Sequence, residues 1–159
     1  MLRRIKPLLL LLFLVAGWLF DRAGQIFGYL YNLSLSEQMR ISEASLRNQN
    51  VTVTQITDLA FASGFAGFIA LLMVTAIALY LCKKNKWHWI NAILALLFVY
   101  LIIWFKMDDA LVRLTWKPGI IFTGAWYYLI NGLVCILFGV GVLVFTNSLK
   151  PLKYNAATD

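Results

Sequence analysis

The sequence has few of the residues that enzymes use for chemistry. It contains one histidine, His88, and two cysteines, Cys82 and Cys135, which share no motif. A single histidine excludes a bis-histidine haem or a histidine-rich metal site within one chain. There is also no CxxC pair, no phosphate-binding loop and no GxSxG motif. We therefore expect a protein that is not an enzyme and that has no catalytic residue, no metal and no cofactor.

Charge is scarce as well: 13% of the 159 residues are charged, whereas 62% are hydrophobic. A soluble domain cannot bury so much apolar surface, so the composition indicates an integral membrane protein. The net charge of +7 could suggest a nucleic-acid partner. However, eight of the fourteen basic residues flank apolar segments on one predicted side of the membrane, where they would face anionic lipid, and no nucleic acid is expected. These eight are Arg3, Arg4, Lys6, Lys83, Lys84, Lys86, Lys150 and Lys153.

A short basic turn lies between two uncharged segments, residues 59–81 and 90–105. At about 1.5 Å per residue, each segment can cross, or nearly cross, a hydrocarbon core about 30 Å thick. Lysines near the ends of spans resist translocation, so this turn is predicted to be cytoplasmic. Tryptophan favours the headgroup level of the bilayer. The predicted membrane-interface anchors are Lys83, Lys84, Lys86, Trp87, Trp89 and Trp116.

We therefore predict an all-α integral membrane protein with one domain, residues 1–159, and four transmembrane helices. The predicted spans cover residues 7–31, 59–81, 87–105 and 120–145. A short extracytoplasmic segment, helical or irregular, would connect the first two spans. Both termini would be cytoplasmic, in a bacterial inner membrane or a plasma membrane. The N-terminal segment lacks a small-x-small cleavage site, which favours a retained first span.

The first predicted span carries a polar stripe. Its uncharged part, residues 7–20, reaches only about 21 Å, so the helix must continue through polar residues to cross. Trp18, Asp21, Arg22 and Gln25 have the spacing of one helix face. In one interpretation, Arg22 extends towards water and Asp21 stays near the headgroups. In the other, Asp21 and Gln25, together with Asn131 of the last span, face one another or a partner subunit.

Small residues recur every four positions in the second predicted span, as in the pair Ser63 and Gly67. Such spacing allows another helix to approach closely, so this face should pack on protein. The candidate interface and helix-packing residues are Asp21, Arg22, Gln25, Ser63, Gly67 and Asn131.

Three further expectations concern the ends of helices. Ser34 and Glu37 form a capping box that predicts the start of a short helix, and Asp58 is the predicted N-cap of the second span. Asp108 and Asp109, just beyond the third span, are expected to be solvated charges or to pair with Arg113, from which Asp109 is spaced i, i+4.

Two functions remain open. The first is a non-catalytic small subunit, or an assembly or stabilising factor, of a larger membrane protein complex. The second is a transporter or channel for small solutes or ions that acts as an oligomer, with Asp21, Gln25 and Asn131 lining a path. The expected partners are the lipid bilayer and either integral membrane subunits or further copies of this chain.

Overall fold

Helices account for most of the computed structural model, which describes residues 5–41 and 51–149. These residues contain no strand. The helices are α1 (Pro7–Gly28), a 3-10 turn (Tyr29–Asn32), α2 (Leu33–Ile41), α3 (Val53–Lys84), α4 (Ile90–Trp104), α5 (Asp109–Thr115) and α6 (Ala125–Ser148).

Three of these helices are long and apolar enough to cross a membrane: Pro7–Arg40, which joins α1 to α2, then α3 and α6. The pair α4 and α5 provides a fourth candidate if the two are counted as one span, although the chain bends by 96° between them. The protein is therefore an all-α multi-pass membrane protein with three to four candidate spans. The four predicted spans fit the upper count.

The third span differs most from its prediction. Instead of a straight crossing over residues 87–105, α4 has 15 residues, or about 22 Å, and is too short to cross alone. The helix ends at Trp104, and Lys106 then adopts a left-handed backbone conformation with φ 52°. This turn sends the chain sideways into α5.

The start of α3 also differs from its prediction. α3 begins at Val53, where Thr52 and Gln55 form a capping box: Gln55 N donates to Thr52 Oγ1 at 3.3 Å and Thr52 N donates to Gln55 Oε1 at 3.0 Å. Asp58 therefore lies inside α3 and is not its N-cap.

The predicted capping box of Ser34 and Glu37 is wrong as well. α2 begins at Leu33, so Ser34 lies inside the helix, and it is Asn32 Oδ1 that accepts a hydrogen bond from the backbone N–H of Leu35, at 3.2 Å. Glu37 instead accepts a hydrogen bond from Arg40 at 2.8 Å. The last helix likewise begins at Ala125, five positions after residue 120, because residues 120–124 form a non-helical connection that ends at Gly124 with φ 60°.

α1 is the central helix of the bundle and packs against α3, α4 and α6. The surrounding helices present large apolar side chains outwards, for example Phe61 and Phe65 on α3 and Leu137 and Phe138 on α6. Such a surface suits a lipid bilayer. Because α1 has protein on several sides, it can carry polar residues that lipid would not tolerate.

One end of the bundle gathers the start of α1, the turn from α3 to α4 and the end of α6. The backbone N–H of Lys6 donates to Asn91 Oδ1 at 2.9 Å, and Asn85 Nδ2 donates to Asn147 Oδ1 at 3.4 Å. We call this the basic end, after its residues Lys6, Lys83, Lys84 and Lys86.

Two of the predicted tryptophan anchors behave differently at the basic end. Trp89 is exposed, as expected of an anchor. Trp87 is only 8% exposed and belongs to the apolar core, with the ammonium group of Lys6 lying 6.0 Å from its ring centroid. The chain itself therefore covers the ring of Trp87, and the position of both tryptophans at the headgroup level stays a prediction.

Candidate functional site

The polar stripe of α1 faces into the bundle. Asp21 is 4% exposed, and its Oδ2 accepts a hydrogen bond from Gln25 Nε2 at 2.7 Å. Arg22 Nη1 donates to Gln25 Oε1 at 2.8 Å. Helical spacing of three and four residues brings these side chains together on one face.

Asp108 completes this group from the turn between α4 and α5. Its Oδ2 atom forms an ion pair with Arg22 Nη2 and accepts a hydrogen bond from Trp18 Nε1 at 2.6 Å. Asp108 is 3% exposed, and the side chain of Arg22 is 12% exposed. We call Trp18, Asp21, Arg22, Gln25 and Asp108 the polar cluster.

Two expectations from the sequence are corrected by this geometry. Asp108 is neither solvated nor paired with Arg113, because the bend after α4 directs it onto α1. Arg22 does not extend towards water, because Asp108 and Gln25 hold its guanidinium inside the bundle.

The ion pair joins two segments that lie 86 positions apart in the sequence. Removing one partner of a buried pair leaves an uncompensated charge, which typically costs about 3–5 kcal/mol. The Nε atom of Arg22 is buried and has no hydrogen-bond partner among the described residues. The ion pair between Arg22 and Asp108 therefore attaches the α4–α5 turn to α1, and loss of either side chain would destabilise the fold.

Ser63 and Gly67 of α3 pack against the same region of α1. Ser63 Oγ donates to the Gln25 carbonyl oxygen at 2.9 Å. A Cβ atom added at Gly67 would lie 2.6 Å from Gln25 Cγ and 2.8 Å from Asp21 Oδ1. The small residues of α3 thus meet the polar stripe of α1 within this chain.

Two glycines of α1 make the close approach possible from the other side. A Cβ atom at Gly24 would overlap the carbonyl oxygen of Ala66, and one at Gly28 would overlap the Cα atom of Ser63. Gly24 and Gly28 form a GxxxG motif, which favours close helix packing in membranes. This motif is present in the sequence, and it is the signal that identifies α1 as the partner of the α3 face.

Asn131 forms no hydrogen bond with the polar cluster among the contacts described. It is fully buried, and its Oδ1 atom accepts a hydrogen bond from the backbone N–H of Gly119 at 2.7 Å. This bond fixes the turn between α5 and α6. Its Nδ2 atom has no partner among the described residues. Asn131 therefore holds a loop in place, whereas Asp21 and Gln25 hold each other.

Aromatic side chains fasten α2 to the bundle at the end opposite to the basic end. The ring of Trp116 lies 5.7 Å from those of Tyr29 and Tyr127, measured between centroids. The guanidinium of Arg40 lies over Tyr127 at 4.9 Å from its ring centroid. Trp116, a predicted membrane-interface anchor, thus packs on aromatic residues of its own chain.

The cavities differ in size and position. The one between α1, α3, α4 and α6, beside Phe13 and Leu71, has a volume of about 10 Å³, enough for about one water molecule. Larger spaces are open grooves, of about 480 Å³ on α6 and about 430 Å³ at the basic end. Within residues 5–41 and 51–149, no three His, Cys, Asp or Glu side chains are placed to hold a metal ion.

Fold and site together define a multi-pass helical membrane protein whose polar side chains meet inside the bundle. Comparison with protein-family models, with curated proteins and with solved structures finds no match for this chain. A function must therefore be inferred from the bundle and from the surface that it leaves exposed.

Proposed function

We propose that this chain is a non-catalytic subunit, or an assembly or stabilising factor, of a larger membrane protein complex. The observation that supports this proposal is an apolar groove on the outer face of α6. Its volume is about 480 Å³, and its lining residues are Val134, Leu137, Phe138, Gly141, Val142 and Phe145.

Gly141 distinguishes this groove from the rest of α6. The chain uses Gly132 and Gly139 for its own packing, since a Cβ atom there would lie 2.5 Å from Phe27 and 2.7 Å from Phe20. A Cβ atom at Gly141 would meet nothing within 4 Å. The internal packing of the described residues therefore does not require glycine at position 141.

A transmembrane helix of a partner protein is the occupant that best suits the groove. Its lining runs from Val134 to Phe145, about 17 Å or about three helical turns. In lipid, helices associate through close packing at small residues, because burial of apolar surface gives little advantage over lipid tails. An outward-facing glycine between the bulky Phe138 and Phe145 provides such a contact.

The transporter or channel interpretation has less support. Asp21 and Gln25 are hydrogen-bonded to each other and covered by Gly67, and Asn131 is bonded to Gly119. Residues committed to such contacts are poorly placed to line a path for a solute. The alternative would regain support if the purified protein were a homo-oligomer without another subunit.

We further propose that the basic end faces the cytoplasm of a bacterial inner membrane or of a plasma membrane, because lysines near spans resist translocation. Lys84 and Asp109 are exposed and lie towards opposite ends of the bundle. Cysteines introduced at these two positions should react with a membrane-impermeant thiol reagent from opposite sides. Reaction of both from one side would exclude this topology.

The partner proposal is tested by purification in mild detergent, followed by mass spectrometry. We expect the parent chain to retain another membrane subunit at a fixed ratio, and Gly141→Leu to lose it because leucine fills the groove. Gly64→Leu is the matched control, since Gly64 faces outwards on α3 and its added Cβ would also meet nothing within 4 Å.

Both variants should unfold at the parent temperature, which separates partner loss from misfolding. Retention of the same subunit by Gly141→Leu would contradict a docking role for the groove. Purification of the parent chain without any other subunit would contradict the proposed function itself.

A further inference from the structure

A second apolar groove opens at the basic end of the bundle, between the start of α1 and the end of α6. Its volume is about 430 Å³, within the range of pockets that hold small ligands. The lining includes Lys6, Leu8, Leu9, Trp87 and Leu149. The groove thus combines an apolar interior with one cationic side chain.

The position of Lys6 is fixed by its neighbours. Its backbone N–H donates to Asn91 Oδ1 at 2.9 Å, and Asn91 is fully buried at the start of α4. The ammonium group of Lys6 lies 6.0 Å from the ring centroid of Trp87, which is itself buried. A positive charge is therefore held beside an apolar groove by residues from two other segments.

The surroundings of the groove are strongly positive. Lys83, Lys84 and Lys86 lie in the neighbouring turn. The acidic residues within the described ranges belong to the polar cluster or to the opposite end of the bundle: Asp21, Glu37, Asp58, Asp108 and Asp109. A ligand at the basic end thus meets cations that no described carboxylate at that end offsets.

We propose that this groove binds an anionic phospholipid, with an acyl chain against Leu8, Leu9 and Trp87 and the phosphate beside Lys6. A molecule that is apolar along its length and negative at its head matches both parts of the groove. Basic pockets between transmembrane helices are known to bind anionic headgroups in this way. The lipid site shares no lining residue with the α6 groove, so this proposal is tested independently of the proposed function.

Native mass spectrometry of the full chain in detergent tests the proposal, with phosphatidylglycerol and phosphatidylcholine of the same acyl composition as probes. The parent chain should retain phosphatidylglycerol over phosphatidylcholine by roughly fivefold, the ratio expected for one lysine near an anionic surface. Lys6→Gln should abolish this preference. Lys84→Gln removes the same charge from an exposed residue outside the groove and should keep it.

A second variant tests the apolar part without a change of charge. Leu8 lines the groove and is 55% exposed, so Leu8→Trp can fill the space with little effect on the core. It should lower the retention of both lipids. Lys6→Gln and Leu8→Trp should also unfold at the parent temperature; if one does not, the other still decides the outcome.

Several results would overturn the proposal. Equal retention of the two lipids by the parent chain would show that charge does not select the ligand. Equal loss in Lys6→Gln and Lys84→Gln would indicate a general surface attraction. Displacement of the lipid by excess inorganic phosphate would identify a phosphate site instead. If only a chain shortened after Lys150 retained phosphatidylglycerol, the occupant of the groove would be the segment 151–159.

Discussion

The two halves of α1 hold their neighbours in different ways. In the half near the basic end, Leu9, Phe13 and Ala16 pack against apolar side chains of α3 and α4, such as Leu71 and Val99. In the other half, the polar cluster and the close backbone contacts at Gly24 and Gly28 join α1 to α3 and to the α4–α5 turn.

This difference has a consequence in a bilayer. Lipid tails are as apolar as leucine, so the apolar side chains of the first half contribute little free energy that favours one neighbouring helix over another. In the second half, a shifted helix would leave a buried charge or an amide without its partner, which is costly. We infer that the polar half sets which helices pack together and in which register.

The largest effect is expected from removal of Asp108. Asp108→Leu leaves the Arg22 guanidinium buried without its carboxylate, and we expect a loss of about 3–5 kcal/mol in the free energy of unfolding. Unfolding in detergent micelles, followed by circular dichroism, measures this loss. Asp109→Leu is the control at the adjacent, exposed position and should change stability little. Similar effects of the two changes would show that the ion pair does not stabilise the bundle.

A side chain at Gly24 should have the next largest effect. In Gly24→Ala the new methyl group meets the backbone of Ala66, which can move only with α3. We expect a loss of about 1–3 kcal/mol, typical of overpacking. Gly64→Ala, at an exposed position of α3, should be tolerated. Comparison of the two unfolding curves decides the point, and a neutral Gly24→Ala would mean that the helices are not in close contact.

A smaller effect is expected at Asn131. Asn131→Ala leaves the buried N–H of Gly119 without its acceptor, but it also removes the unpartnered Nδ2 atom. We therefore expect the free energy of unfolding to fall by about 1 kcal/mol, which is at the low end of the range for a buried donor without an acceptor. The midpoint of thermal unfolding is the measurement. Leu133→Ala, at an exposed residue of the same helix, serves as the reference, and an equal shift in both would remove the structural role of Asn131.

The smallest effect is expected from Ser63→Ala, which removes the hydrogen bond to the Gln25 carbonyl oxygen. Hydrogen bonds between transmembrane helices contribute about 0.6 kcal/mol on average. Stability should fall by about this amount in denaturant unfolding. A loss as large as that of Asp108→Leu would show that the α1–α3 contact, and not the ion pair, dominates the polar half.

The membrane class and most of the spans could be predicted because they depend on local composition. Long uncharged segments and helical spacing are properties of neighbouring residues, so the polar stripe of α1 was visible in the sequence. The start of α3 was missed although its signal, the Thr52 and Gln55 capping box, is also local.

The contact between Arg22 and Asp108 could not be predicted in the same way. It joins residues 86 positions apart and depends on the 96° bend after α4. No periodicity within either segment encodes that bend. For the same reason, the central position of α1 emerged only from the packing of the whole bundle.

The central claim is that Arg22 and Asp108 stabilise the bundle by pairing with each other, and a double-mutant cycle in detergent micelles tests it most directly. Each single change, Arg22→Met or Asp108→Leu, should cost about 3–5 kcal/mol, because it leaves the other charge buried without its ion-pair partner. The combined variant should lose clearly less than the sum of the two single losses, since replacing both charges leaves neither one without its partner; the remaining loss reflects Trp18 Nε1 and Gln25 Oε1, which also lose a partner. Losses that simply add in the combined variant would show that the two residues act independently and would contradict the claim.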